Sequence, residues 1–128
     1  MTEVAVRPLG PADVEDLVAI AVAAWQPIFA FYQRAMGDDL FATAHPDWRQ
    51  EKARQVRRAC SSGSSALVAV AELSADGEGP ARVVGFVTCY ANSETGIGEI
   101  GNNAVHPDWQ GRGIAPRLYE WAFERMRE

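Results

Sequence analysis

The stretch that decides the fold runs Gly98-Glu99-Ile100-Gly101-Asn102-Asn103-Ala104-Val105-His106-Pro107-Asp108-Trp109-Gln110-Gly111-Arg112-Gly113-Ile114-Ala115-Pro116-Arg117. Its first part alternates large and small residues and predicts a short strand ending at Val105. His106-Pro107-Asp108 then makes a turn, and the residues after Ala115 predict an amphipathic helix. A strand that passes through glycines into a helix start is a phosphate-binding device. The first backbone N–H groups of a helix have no intrahelical partner, and the helix dipole adds partial positive charge there. Glycines at such a corner remove the side chains that would hold a phosphate away from those N–H groups.

The corner is not a P-loop, because Gly-Lys-Ser/Thr is missing. The dinucleotide pattern fails too, since Gly111-x-Gly113 is followed by Ala115 and Pro116 with no third glycine. What remains is Gln-x-x-Gly-x-Ala, from Gln110 to Ala115. With the surrounding V-H-P-D-W-Q-G-R-G-I, this resembles the GCN5-related N-acetyltransferase (GNAT) family, whose signature is Q/R-x-x-G-x-G/A.

Composition sets the frame for that resemblance. At 128 residues the chain makes a single domain, residues 1–128, that buries roughly two-thirds of its unfolded surface. Hydrophobic residues at 48% and charged residues at 23% are ordinary for a soluble globular protein. A net charge of −5 argues against a nucleic-acid or anionic-membrane surface. No apolar run is read as approaching the roughly 20 residues of a membrane span. Cys60 and Cys89 stand alone, and the opening Met1-Thr2-Glu3-Val4 has no apolar export core, so a cytoplasmic location is expected. His45 and His106 lack Cys, Asp or Glu partners at ligand spacing, so no metal is expected.

In order along the chain, Val4–Arg7 predicts a strand ended by Pro8. Pro11 opens a helix, with Asp13 and Glu15 near its positive end. Val14, Leu17, Val18, Ala21, Trp25 and Ile28 give it helical periodicity, and Pro27 is expected to kink or end it. Gly37-Asp38-Asp39 breaks the pattern. His45-Pro46-Asp47-Trp48 opens a second helix, with a capping box expected from Asp47 to Gln50. Ser61–Ser65 is a loop, Ala66–Leu73 a strand, Asp76–Pro80 a hairpin loop and Arg82–Tyr90 the partner strand. Gly85 inside that strand marks a bulge or a close backbone approach. The expected order is β-α-α-β-β-β-α, a mixed α/β fold that also fits the GNAT acyl-CoA N-acyltransferase fold from Val4 to Arg127.

The resemblance implies a set of roles. Acetyl-coenzyme A is the implied cosubstrate, and a primary amine, on a small molecule or a peptide, the acceptor. Backbone N–H groups of Gly111, Arg112, Gly113, Ile114 and Ala115 would face the donor's pyrophosphate, Gln110 would brace the turn, and Arg112 and Arg117 would add charge-assisted bonds. Family members carry a bulge before the loop, which would aim a backbone N–H near Val105 at the thioester carbonyl. Asn103 and Val105 are expected to share a face with Glu99 by alternation. Glu99, 11 positions before Gln110, is the candidate general base, set against a plain surface glutamate, with Glu94 a weaker alternative. Trp25, Phe29 and Tyr32 are candidate acceptor-wall residues, with core packing the favoured reading. The chain reads as short of the family's C-terminal strands. That leaves open a homodimer through the exposed sheet edge, or a non-catalytic remnant that binds coenzyme A weakly or acts through a partner chain.

Overall fold

The computed structural model describes residues 3–74 and 82–127, so the expected hairpin loop at residues 76–80 lies outside the described residues. Four strands, β1 (Glu3–Pro8), β2 (Leu67–Ser74), β3 (Arg82–Asn92) and β4 (Ile97–Val105), form one antiparallel sheet in the order β1-β2-β3-β4. Between β1 and β2 lie α1 (Val14–Met36), α2 (Asp38–Ala44) and α3 (Trp48–Ala59), and α4 (Ile114–Arg127) follows β4. Side chains alternate across the sheet, so each face buries its own half of the apolar residues. Val87, Cys89 and Val105 pack with Ile114, Leu118 and Ala122 of α4 on one face. Val68, Val70 and Phe86 pack with Leu17, Ile20 and Ala21 of α1 and Val56 of α3 on the other. The mixed α/β arrangement read from the sequence is the one observed.

Three local expectations are corrected. Pro27 does not end the first helix, which runs unbroken from Val14 to Met36. An interior proline costs a helix about 3 kcal/mol. Here Ala21 before it and Phe29 after it are both buried, and packing on either side holds the helix through the exposed proline. Gly37-Asp38-Asp39 is a junction between two helices. Gly37, at φ 84°, donates its N–H to the Gln33 carbonyl, and its own carbonyl accepts from Phe41 to open α2. Asp38 and Asp39 fall in the first turn of α2, where the dipole favours them. The capping box at Asp47 does not form, because Asp47 sits in the left-handed region at φ 53° and makes no side-chain cap.

The 26 residues Pro11–Met36 are long and apolar enough, by length and composition alone, to cross a membrane, which the expectation of no such run overlooked. Leu17, Ile20 and Ala21 of this segment pack against the sheet.

Gly85 meets both readings offered for it. Ala71 pairs with Gly85 and Glu72 with Val83, so Val84 is the extra residue of a bulge. A methyl group on Gly85 would come 3.2 Å from the Ala104 carbonyl oxygen and 3.3 Å from Leu118 Cδ1. A polar network that the sequence did not announce ties β1, β2 and the turn before α1 together. The Arg7 guanidinium donates to Asp13 at 2.8 Å and to Glu72 at 2.5 Å, and the Gly10 N–H donates to Asp13 at 2.7 Å. The Arg7 hydrogen bond, with help from Gly10, holds the Asp13 carboxyl below its ordinary range against the opposing pull of burial.

Candidate functional site

A second bulge shapes the site. Val87 pairs with Asn103 and Cys89 with Ile100, so Gly101 and Asn102 together oppose Thr88. Cross-strand partners share a face. Ile100 and Asn103 therefore lie on the α4 face with Cys89 and Val87, while Glu99 lies on the α1/α3 face opposite Tyr90. The expectation that Glu99, Asn103 and Val105 share a face is corrected, because the extra residue shifts the alternation by one. The bulge expected near Val105 lies at Gly101–Asn102 instead, and Val105 itself pairs regularly with Gly85.

Two hydrogen bonds lock this bulge. The buried Thr88 hydroxyl donates to the Asn102 carbonyl at 2.8 Å, and the Asn103 amide donates to the Gly101 carbonyl at 3.0 Å. Gly101 has no room for a side chain, since a Cβ would sit 2.6 Å from Thr88 Oγ1.

Beyond the bulge the strand runs into the turn. His106 donates its N–H to the Val84 carbonyl at 2.8 Å, which makes Gly85 and Val105 a non-hydrogen-bonded pair. The Val105 N–H and C=O therefore point away from β3. The carbonyl accepts from Gln110 Nε2 at 2.9 Å, so Gln110 ties the loop back to the strand. Pro107–Trp109 forms one tight turn, with the Asp108 N–H donated to His106 Nδ1 at 3.1 Å. Gly111 at φ 77° and Gly113 at φ 79° are both left-handed, which a side chain disfavours. They swing the chain into α4, whose first turn holds Ile114, Ala115 and Pro116. Ile114 is buried and anchors the helix start, while Gly111, Arg112 and Gly113 are exposed.

A cavity of about 430 Å³ opens here, and its lining includes Asn103, Val105, Gln110, Gly113 and Ala115. Gly111 and Ile114 line it as well, so it gathers seven of the nine residues assigned to the donor from the sequence. Trp109 and Pro116 line it too and were not assigned. The two arginines are placed elsewhere. The Arg112 guanidinium stacks over the Trp109 ring, 4.6 Å from its centroid, and Arg117 Nη1 donates to the Val4 carbonyl.

Glu99 is exposed and lines a separate cavity of about 640 Å³ with Tyr90, Glu94 and Ser65. Phe29 is 8% exposed, stacks on Trp48 at 4.3 Å, and lines a third cavity of about 750 Å³ with Phe41, His45 and Trp48. Tyr32 stacks on His45 at 5.8 Å, and Lys52 Nζ covers the Trp25 ring at 3.9 Å. Of the three proposed wall residues, Phe29 is core and cavity wall at once. Burial pushes the Cys60 and Cys89 thiols up, which leaves both poor nucleophiles.

A glycine corner with two left-handed residues, braced by Gln110 to an outward-turned strand and opening on a cavity, is the feature that sets this α/β fold apart. The sequence profile of the Acetyltransferase (GNAT) family matches residues 25–128, and the chain belongs to that family. The fold is similar to that of the PaiA N-acetyltransferase from Thermoplasma acidophilum in complex with coenzyme A. The TM-score is 0.67 at 19% identity, covering 98% of this chain and 72% of that one. It is also similar to a GNAT family acetyltransferase from Brucella melitensis in complex with acetyl-CoA, at TM-score 0.62 and 21% identity, covering 98% and 69%. An acetyltransferase from Trypanosoma brucei matches at TM-score 0.53 and 18% identity, covering 98% and 75%. At these identities the likeness is one of fold. No protein among the curated ones matches the chain.

Proposed function

We propose that this protein transfers an acetyl group from acetyl-coenzyme A to a primary amine. One observation carries the reading. The Gln110–Ala115 corner, with two left-handed glycines and the Gln110 brace on Val105, opens on a cavity that runs back along β4 to Asn103. Backbone N–H groups of Gly111, Arg112, Gly113, Ile114 and Ala115 hold the pyrophosphate, and Pro116, without an N–H, adds none. Arg112 supplies positive charge from beside the loop, and Arg117 joins it only by leaving the Val4 carbonyl. The donor's arm then follows β4, where the outward Val105 N–H meets it. Val105 lies four residue steps beyond Gly101 of the bulge, about 13 Å of strand at ~3.3 Å per residue.

Glu99 lies two residues past the bulge, on the opposite face and in its own cavity. In this reading the acceptor amine arrives from that face and Glu99 takes its proton. The amine nitrogen attacks the thioester carbonyl, the carbon–sulfur bond breaks, and the departing thiolate takes up a proton from solvent water. Trp25, Phe29 and Tyr32 lie on α1, which packs on the same face of the sheet as Glu99, the side from which the acceptor comes in this reading.

The test is thiol release from acetyl-coenzyme A with a panel of amines: small polyamines, amino sugars, and peptides with a free N-terminus or a lysine. Release that depends on one amine class is expected. A rate no higher than the amine-free rate with every class overturns the proposal.

A further inference from the structure

Tyr119 was given no role by the sequence, and its hydroxyl reaches the donor cavity through Asn103. It donates to Asn103 Oδ1 at 2.9 Å, and Asn103 Nδ2 donates to the Gly101 carbonyl at 3.0 Å. The direction of this chain is forced. The Gly101 carbonyl only accepts, so the amide nitrogen faces it, the amide oxygen faces Tyr119, and the phenol gives its proton. That proton is committed to Asn103, so Tyr119 is not the acid that protonates the leaving thiolate in this arrangement. The second N–H of the Asn103 amide has no partner among the described residues, at a residue that lines the cavity.

We propose that Tyr119 is a positioning residue for the acyl donor. It clamps the Asn103 amide so that the bulge at Gly101–Asn102 keeps its shape and the free Asn103 N–H is presented to the donor's amide-bearing arm. This rests on the donor reading above and goes beyond it by separating two parts of the site. The glycine corner holds the phosphates. The Tyr119–Asn103 pair sits further along β4, past Val105, where only the arm reaches. Tyr119 also stacks on Phe123 at 6.4 Å between centroids, so its ring stays in place when only the hydroxyl is removed.

The experiment compares wild-type protein and Tyr119→Phe by calorimetric titration with two ligands. One is acetyl-coenzyme A. The other is 3′-phosphoadenosine 5′-diphosphate, which carries the phosphates without the arm. The expected result is a loss of about threefold to tenfold for acetyl-coenzyme A, the size of one net hydrogen bond. The fragment should bind both proteins equally within about twofold. Equal losses for both ligands show a general loosening of the corner and overturn the inference, as does no loss for either. Failure of the wild-type protein to bind either ligand refutes the donor reading and takes this inference with it. The three failures are therefore distinguishable.

Discussion

Gly101→Ala is the substitution whose cost the structure states most directly. The new methyl carbon would lie 2.6 Å from Thr88 Oγ1 and 2.9 Å from Tyr90 Cε2. Thr88 is fully buried, and its hydroxyl already donates to the Asn102 carbonyl at 2.8 Å. It cannot swing into solvent, so relieving the clash breaks that bond or moves β4. A broken buried hydrogen bond costs about 1–3 kcal/mol, and overpacking a filled site about 1–3 kcal/mol. The loss expected is about 2–5 kcal/mol, a large part of the roughly 5–15 kcal/mol that holds a small domain. For a chain of 128 residues that is a fall in Tm on the order of 10–20 °C. The assay is thermal and urea unfolding of the variant, of Thr88→Ala and of the double variant. Removing the threonine side chain makes room, so the double variant should be more stable than the sum of the two losses predicts, with a coupling of about 1 kcal/mol or more. A Tm for Gly101→Ala within about 3 °C of wild type would refute the argument. Strict additivity would show that Thr88 is not the group being displaced.

Three further outcomes follow from named contacts. The Asp13 carboxyl is held below its ordinary value of 3.8 by Arg7, so its contribution is present above that value and is lost as pH falls through and below it. Asp13→Asn should remove about 1–2 kcal/mol at neutral pH, discounted because the Arg7 side chain is 36% exposed, and should flatten the acid limb of a stability–pH curve. An acid limb identical to wild type would exclude this network as its source. Gly113→Glu adds strain at φ 79° and a carboxylate at the corner proposed to hold the phosphates. At an effective dielectric near 20, one charge pair about 4 Å apart is worth about 4 kcal/mol, so acetyl-coenzyme A affinity should fall about a thousandfold, and unchanged affinity would refute the loop assignment. Glu99→Gln should lower turnover about a hundredfold or more while leaving donor affinity within about threefold, since general-base catalysis is worth that much. Equal turnover would return Glu99 to the plain reading of a surface glutamate.

The readable parts of this chain were those governed by local rules. Gln110-Gly111-Arg112-Gly113 announces a turn because only glycine takes positive φ without strain, and both glycines do so. Pro11, Gly85 and the Ser61–Ser65 loop were legible for the same reason. What the sequence hid depends on partners far along the chain. The bulge at Gly101–Asn102 arises from pairing with Thr88, and nothing within β4 marks which of its small residues is the extra one. That single residue moved Glu99 to the other face. Nothing in the sequence pairs Tyr119 with Asn103, 16 positions earlier, yet its hydroxyl lies 2.9 Å from the Asn103 amide oxygen. α2 was missed because Asp38 and Asp39 look like a loop in isolation, although they suit a helix start once Gly37 has turned the chain. Pro27 misled because its cost is offset by packing of Ala21 and Phe29, which no propensity scale contains. Arg117 sits near the loop in sequence, yet its side chain was claimed by the Val4 carbonyl across the sheet.

In the proposed function the corner from Gln110 to Ala115, which lines the cavity, holds the phosphates of acetyl-coenzyme A. Calorimetric titration of the 128-residue chain with acetyl-coenzyme A tests it most directly, with folding checked by circular dichroism in the same sample. Saturable heat with a micromolar Kd and one donor per chain is expected. A folded chain that gives only the heat of dilution contradicts it.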